Sequence, residues 1–241
     1  MKGKFAVIVG AGIIVSLFGG QAQAAPTFCT GAIDTAMNGD TVNGPFLLTP
    51  GNCVLAGDKF FGAASVSGAI TGNGTASFQF LMTPGNVTIG FLGTVNPGLT
   101  GALNYTVAVN PANSQGSLIS DLEKDFTLNA SLTGSPASAT LTGFTNPAMA
   151  SIIGQPPGTT TFNCTRTVNP VTTGCPQTGL LATPVAQMTV NETLTTGTNA
   201  VVTAITDTVS QTGVPEPASL ALLGSALAGF GLFGIRRRRQ G

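Results

Sequence analysis

From Thr75 to Ser210 apolar and polar residues alternate with a period of two, and this alternation limits the fold more than any other feature of the chain. Side chains of an extended strand point to opposite faces in turn, so the pattern puts one face of each segment in a core and the other in water. Phe78, Phe80 and Met82 form one such set, and Val87, Ile89 and Phe91 follow after the turn Pro84-Gly85-Asn86. Leu103, Tyr105, Val107 and Val109 alternate with Asn104, Thr106, Ala108 and Asn110. Phe126, Leu128, Ala130 and Leu132 alternate with Thr127, Asn129, Ser131 and Thr133. Further strands are expected over 139–145, 160–168, 186–195 and 199–210. Short strands rich in Thr, Val and Phe, set between Gly, Pro and Asn turns, predict an all-β fold, an antiparallel β-sandwich. One short helical exception is expected at Ser120-Asp121-Leu122-Glu123, which has capping-box spacing. The loop 154–161, with Pro156-Pro157-Gly158, marks where the body would divide into two small subdomains if it is not one domain.

The two ends follow different rules. Lys2 and Lys4, the apolar run from Phe5 to Gly20 and the small-x-small site Ala22-Gln23-Ala24 read as a secretory signal peptide over residues 1–24. The mature chain is expected to begin at Ala25, and the secretion machinery is an expected partner. At the other end Pro215-Glu216-Pro217 leads into an uncharged run from Ala218 to Ile235, closed by Arg236, Arg237, Arg238 and Arg239. As a helix at 1.5 Å per residue that run spans about 27 Å, close to the hydrocarbon thickness of a bilayer. Guanidinium groups resist passage through lipid and stay on the cytoplasmic side, so the arginines act as a stop. The expectation is a β-rich exported body over 25–213 and a sorting and anchoring segment over 214–241. A single C-terminal transmembrane helix would hold that body outside the cytoplasm at the inner membrane.

Motif, span and basic end, in that order, resemble the PEP-CTERM sorting signal of Gram-negative bacteria. The same segment is also labelled an ice-binding-protein C-terminal domain. The resemblance implies recognition by exosortase, a membrane cysteine protease or transpeptidase, with processing near Pro215-Glu216-Pro217 and a final place at the cell surface or outside it. It also implies an association with exopolysaccharide and biofilm matrix. It covers only the tail and transfers nothing to the body. The ice-binding label invites a look at Thr140/Thr142, Thr165/Thr167, Thr193/Thr195 and Thr206/Thr208. A flat ice-binding face on a solenoid needs such pairs at a constant interval, and these intervals are irregular. They are expected to be the exposed halves of ordinary strands.

The body carries Lys59, Lys124 and Arg166 against Asp34, Asp40, Asp58, Asp121, Glu123, Asp125, Glu192 and Asp207, which predicts a mildly acidic surface. Without a basic patch, nucleic acid is not an expected partner. Four cysteines fit an oxidising compartment and allow three pairings. Nearness in sequence favours Cys29 with Cys53 and Cys164 with Cys175. A four-cysteine zinc site is the competing reading, but there is no C-x-x-C and no histidine.

The absence of histidine removes Ser-His-Asp and Cys-His catalysis, and no G-x-S-x-G, P-loop or dinucleotide fingerprint occurs. Asp121, Glu123 and Asp125 alternate and would line one strand face. They are candidate calcium ligands, since hard cations take oxygen donors, and Asp34, Asn38 and Asp40 form a looser second group. A carboxylate pair could instead serve a glycosidase-type mechanism, but with one tyrosine and no tryptophan the usual sugar-stacking platforms are scarce. No cofactor is expected. The leading expectation is a non-enzymatic exported surface or matrix protein with a structural or adhesive role. The alternative is a calcium- or polysaccharide-binding module, and a secreted hydrolase comes third.

Overall fold

The alternating segments become strands, and in the computed structural model they build two sheets that share one core. The structure describes residues 26–71, 77–110, 112, 117–132 and 134–212. In chain order the strands are β1 (Ile33–Ala36), β2 (Thr41–Asn43), β3 (Cys53–Ala56), β4 (Lys59–Gly68), β5 (Ser77–Thr83), β6 (Asn86–Val95), β7 (Thr100–Val109) and β8 (Leu118–Ala130). They continue with β9 (Ala137–Asn146), β10 (Ser151–Ile152), β11 (Phe162–Val168), β12 (Thr172–Thr173), β13 (Gln177–Val185), β14 (Gln187–Thr196) and β15 (Ala200–Thr212). One sheet runs β1-β3-β4-β7-β14-β9-β11-β12 and the other β10-β13-β8-β15-β6-β5-β2. Every pairing is antiparallel except β1 with β3.

Both sheets draw strands from either side of the loop 154–161, which carries the chain from β10 in one sheet to β11 in the other. That loop is therefore a crossover within the sandwich and not a boundary between two subdomains. The inward residues interleave in one cluster, with Phe61 against Phe80 at a ring-centroid distance of 5.3 Å and Phe78 against Phe91 at 5.7 Å. Burying each such ring contributes roughly 2–3 kcal/mol, and the Phe61–Phe80 contact joins one sheet to the other.

The expected alternation is seen where one face meets solvent, as in β9, whose residues from Ala137 to Asn146 are in turn buried and exposed or half-buried. It is absent in β3 and at the start of β4, where Cys53, Val54, Ala56, Lys59, Phe60, Phe61 and Gly62 are all buried. There the outer face is covered as well: a Cβ on Gly62 would stand 3.0 Å from the Phe28 ring. A strand buried on both sides shows no period of two, so this part of the sheet left no pattern in the sequence.

The expected helical turn at Ser120–Glu123 is a strand irregularity inside β8. Pairing with β15 passes from Asp121↔Ser210 to Ile119↔Gln211, leaving Ser120 as the extra residue of a bulge. The bulge buries both Ile119 and Leu122, and this three-residue spacing mimics a helix. The Ser120 hydroxyl donates to Asp121 Oδ2 at 2.8 Å rather than capping a helix.

Two disulfides tie the body, Cys29–Cys53 and Cys164–Cys175, with Cα separations of 5.5 and 5.2 Å. With both sulfur pairs consumed, the zinc reading lapses. The signal-peptide residues, including Ala22 and Ala24, and the tail with Pro215–Pro217 and Arg236–Arg239 lie outside the described residues. Among the described residues no helix is long and apolar enough to cross a membrane.

Candidate functional site

The outer face of the eight-stranded sheet carries a cleft of about 420 Å³. Its floor follows from strand order and register. Alternation turns Asn104 of β7, Asn191 and Thr193 of β14, Thr142 and Phe144 of β9, and Asn163 of β11 away from the core. Pairing then aligns them into rows: Asn104, Asn191 and Phe144 in one, Ala102, Thr193, Thr142 and Asn163 in the next. A third row is all threonine, with Thr100, Thr195, Thr140 and Thr165 in register, and hydroxyl contacts of 3.2 Å for Thr100–Thr195 and 3.1 Å for Thr140–Thr165. Threonine pairs irregularly spaced in sequence thus become neighbours in space, because the loops between their strands differ in length.

The chemistry of this face is uniform. It presents amide donors and acceptors and hydroxyls, and the side chains that turn outward here carry no charge. Phe144 adds an apolar plate, 54% exposed on a strand in the interior of the sheet. Glu192 and Phe162 also border the cleft, but both side chains turn inward and only their strands form its floor. A surface of this kind suits a neutral ligand rich in hydroxyls, with one apolar side to lie on the ring.

Beneath the same strands lies a second arrangement that the sequence reading missed. Lys124, Glu192 and Asp207, which counted as surface charges in the sequence, are 0%, 2% and 2% exposed and meet between the sheets. Lys124 and Asp207 are cross-strand partners on β8 and β15, while Glu192 comes from β14 in the opposite sheet. The Lys124 ammonium donates to Glu192 Oε1 and lies 3.4 Å from both oxygens of Asp207. The Tyr105 hydroxyl donates to Asp207 Oδ2 at 2.5 Å, and the Phe162 ring centroid stands 5.2 Å from Lys124 Nζ. Glu192 Oε2 meets no donor, and as the acid the carboxyl has the Asp207 carboxylate to donate to. Burial, then the charge of Asp207, pushes the Glu192 carboxyl up to about 8 against the opposing pull of Lys124, so at neutral pH it is held as the neutral acid. Burial likewise raises the Tyr105 phenol, with the charges of Asp207 and Glu192 adding to the effect.

Lys59 is also buried at 0%, paired with Asp58 at 2.9 Å. Arg166 is thus the one partly exposed cation among the described residues, and Asp125 takes it at 2.8 Å. The acids singled out in the sequence have separate partners. Asp121 accepts from Ser120, Glu123 from Thr178 at 3.3 Å, and Asp125 from Arg166 and the Phe126 amide. The structure does not bring these three together as one ligand set. Among the described residues the one grouping of three metal-ligand types is Asp125 with Cys164 and Cys175, whose sulfurs are already bonded to each other. In the looser group, Asp34, Asn38 and Asp40 accept from the backbone amides of Thr35, Met82 and Met37.

Comparison with known proteins adds little to the body and identifies the tail. No curated protein matches the chain. Among solved structures, TmCBM61, determined in complex with beta-1,4-galactotriose, is 10% identical over 63% of this chain and 89% of its own, with a TM-score of 0.27. A family 11 carbohydrate-binding module from Clostridium thermocellum, in complex with a beta-1,3-1,4-mixed-linked tetrasaccharide, is 10% identical over 63% of this chain and 86% of its own, with a TM-score of 0.14. Likenesses at these scores carry no argument about this chain. Residues 213–239 match the family model of the PEP-CTERM protein-sorting motif, so the sandwich, which ends at Thr212, is followed directly by that motif.

Proposed function

We propose that this is an exported, exosortase-sorted surface protein whose sandwich holds a neutral polysaccharide on the outer face of its eight-stranded sheet. The sorting part rests on the motif at residues 213–239. The binding part rests on one observation, the cleft in which Asn104, Asn191, Thr142, Thr193 and Asn163 surround the exposed ring of Phe144. Sugar hydroxyls pair with amides and hydroxyls in both directions, as donors and as acceptors. The C–H face of a pyranose stacks on an aromatic ring, which desolvates both. An anionic polymer would find no cation on this floor, so the reading commits to an uncharged chain. The role is adhesive and non-enzymatic, because the floor presents no carboxylate to act as acid or base.

Affinity electrophoresis of the exported protein through gels containing neutral or acidic polysaccharides tests this. A neutral polymer is expected to retard the wild type, and Phe144→Ala to remove the retardation. Phe144 is more than half exposed, so that substitution should leave stability within about 0.5 kcal/mol. Equal retardation of wild type and variant, or retardation by acidic polymers alone, would reject the reading.

A further inference from the structure

The buried group between the sheets has no part in glycan binding, and its arrangement carries a chemistry of its own. We propose that it is a self-modification site, in which Lys124 Nζ and the Glu192 side chain condense to an amide that covalently joins the two sheets.

The reacting atoms are already in place. Lys124 Nζ is in hydrogen-bond contact with Glu192 Oε1, and the amine and the carboxyl come from opposite sheets. Holding two groups this way replaces an encounter in solution by an intramolecular step, worth several orders of magnitude in effective concentration. Gly143 of β9 gives the lysine its path: a Cβ there would stand 3.2 Å from Lys124 Cε and 3.0 Å from the Asn191 carbonyl. Asp207 supplies the proton acceptor, with both oxygens 3.4 Å from Nζ, and Tyr105 fixes that carboxylate by its hydrogen bond. Phe162 and the surrounding core keep water out, so the water formed has no counterpart in the site to drive the reverse reaction.

The step balances. The Lys124 ammonium passes one proton to Asp207 and becomes a neutral amine. Its lone pair attacks the Glu192 carboxyl carbon, and a C–N bond forms. The nitrogen releases a second proton, by way of Asp207, to the Glu192 hydroxyl; the C–O bond breaks and water leaves. One amide, one water and one protonated Asp207 carboxyl replace an ammonium, a neutral acid and a carboxylate. No oxidant, reductant or co-reactant is needed. The requirement that Glu192 be a neutral acid is met at neutral pH, since burial and Asp207 hold its proton on.

The site otherwise has no evident reason to carry these groups. Buried ion clusters are often no more stabilising than apolar residues of the same volume. This one also leaves Glu192 Oε2 without a donor. Condensation removes the buried ammonium and replaces one of the two Glu192 oxygens with the amide nitrogen. It would also give an exported protein a link that survives local opening of either sheet.

Intact mass of the exported protein, with its termini and both disulfides accounted for, is the test. The expected species is lighter by one water, trypsin does not cut after Lys124, and a branched peptide joins the segments that carry Lys124 and Glu192. Lys124→Met and Glu192→Ala are each expected to restore the full mass, and Asp207→Asn to leave most of the chain uncondensed. If a variant fails to fold, the wild type still decides. Wild-type protein with a strand-rich circular dichroism spectrum, both disulfides and the full unreduced mass would overturn the proposal. So would a branched peptide that maps to any other pair.

Discussion

Tyr105 and Asp207 face each other across the sandwich: the phenol of β7 donates a 2.5 Å hydrogen bond to the carboxylate of β15, and both residues are buried. The pair links the two sheets through polar atoms at the centre of an apolar core, beside Lys124 and Glu192. It also makes the state of the core visible from outside, because Tyr105 is the only tyrosine and there is no tryptophan.

The first prediction follows from that geometry. Burial holds the folded phenol well above its ordinary value of 10.0. A raised folded value means the proton is bound more tightly in the native state, so this contribution to stability is complete below pH 10.0 and is lost as pH rises from there toward the folded value. Phenolate absorbance should therefore stay absent in folded protein above pH 10 and appear together with loss of the strand signal. Phenolate forming near pH 10 while the strand signal persists would contradict the burial.

The disulfides lead to a second. Cys53 and Cys164 are both 0% exposed, so native protein should resist reduction until it unfolds. The bridges span 24 and 11 residues of sequence separation. In the chain-entropy treatment, replacing the Cys29–Cys53 pair by alanines costs about 3.5 kcal/mol and the Cys164–Cys175 pair about 3 kcal/mol. Denaturant midpoints of the two double variants, with thiol labelling of the wild type before and after denaturation, check both statements.

Packing around β13 supports a third. A Cβ on Gly179 would lie 2.6 Å from the Phe162 ring and 2.8 Å from Met149 Cγ. Both neighbours are buried and have no room to retreat. Gly179→Ala should therefore cost about 1–3 kcal/mol by overpacking. Gly85 makes the contrast, since it sits in a left-handed turn at φ +79 with open space around its Cα. Gly85→Ala should destabilise through backbone strain alone, by roughly 1 kcal/mol. Thermal unfolding of the two variants separates the effects.

The tail carries the fourth. Residues 213–239 match the sorting motif, and the resemblance implies processing near Pro215-Glu216-Pro217. In cells with an active exosortase, intact mass of exported protein should show a species from Ala25 to near residue 217. Glu216→Ala should accumulate the longer form. Recovery of only the chain from Ala25 to Gly241 would show that the segment is a permanent anchor.

Much of the fold was legible in the sequence because half-exposed strands write their geometry into it. The alternation from Phe78 to Met82, the segment from Phe126 to Ala130 and the region of β9 each declared a strand with one wetter face, while Tyr105 to Val109 alternated in sequence although both faces are buried. The two disulfide pairs followed from nearness, and the tail from motif, span and charge in order. Strands β3 and β4 were not legible, since residues covered on both faces lose the period of two. The bulge at Ser120 read as a helix because Ser120 and Glu123 stand at capping-box spacing, which an irregular strand can also carry.

The tertiary structure alone decided what sits beside what. Register is set by loop length and long-range pairing, and no local pattern encodes it. Asn104, Asn191, Thr142, Asn163 and Phe144 are scattered along the sequence and became one cleft floor only when β7, β14, β9 and β11 lay side by side. Burial of charge was equally hidden. Lys124, Glu192 and Asp207 sit in ordinary polar-looking strands, and a charge is expected in water unless a partner compensates it. Their partners lie 68 and 83 positions away along the chain, so only the meeting of the two sheets could turn three apparent surface charges into a buried reactive group.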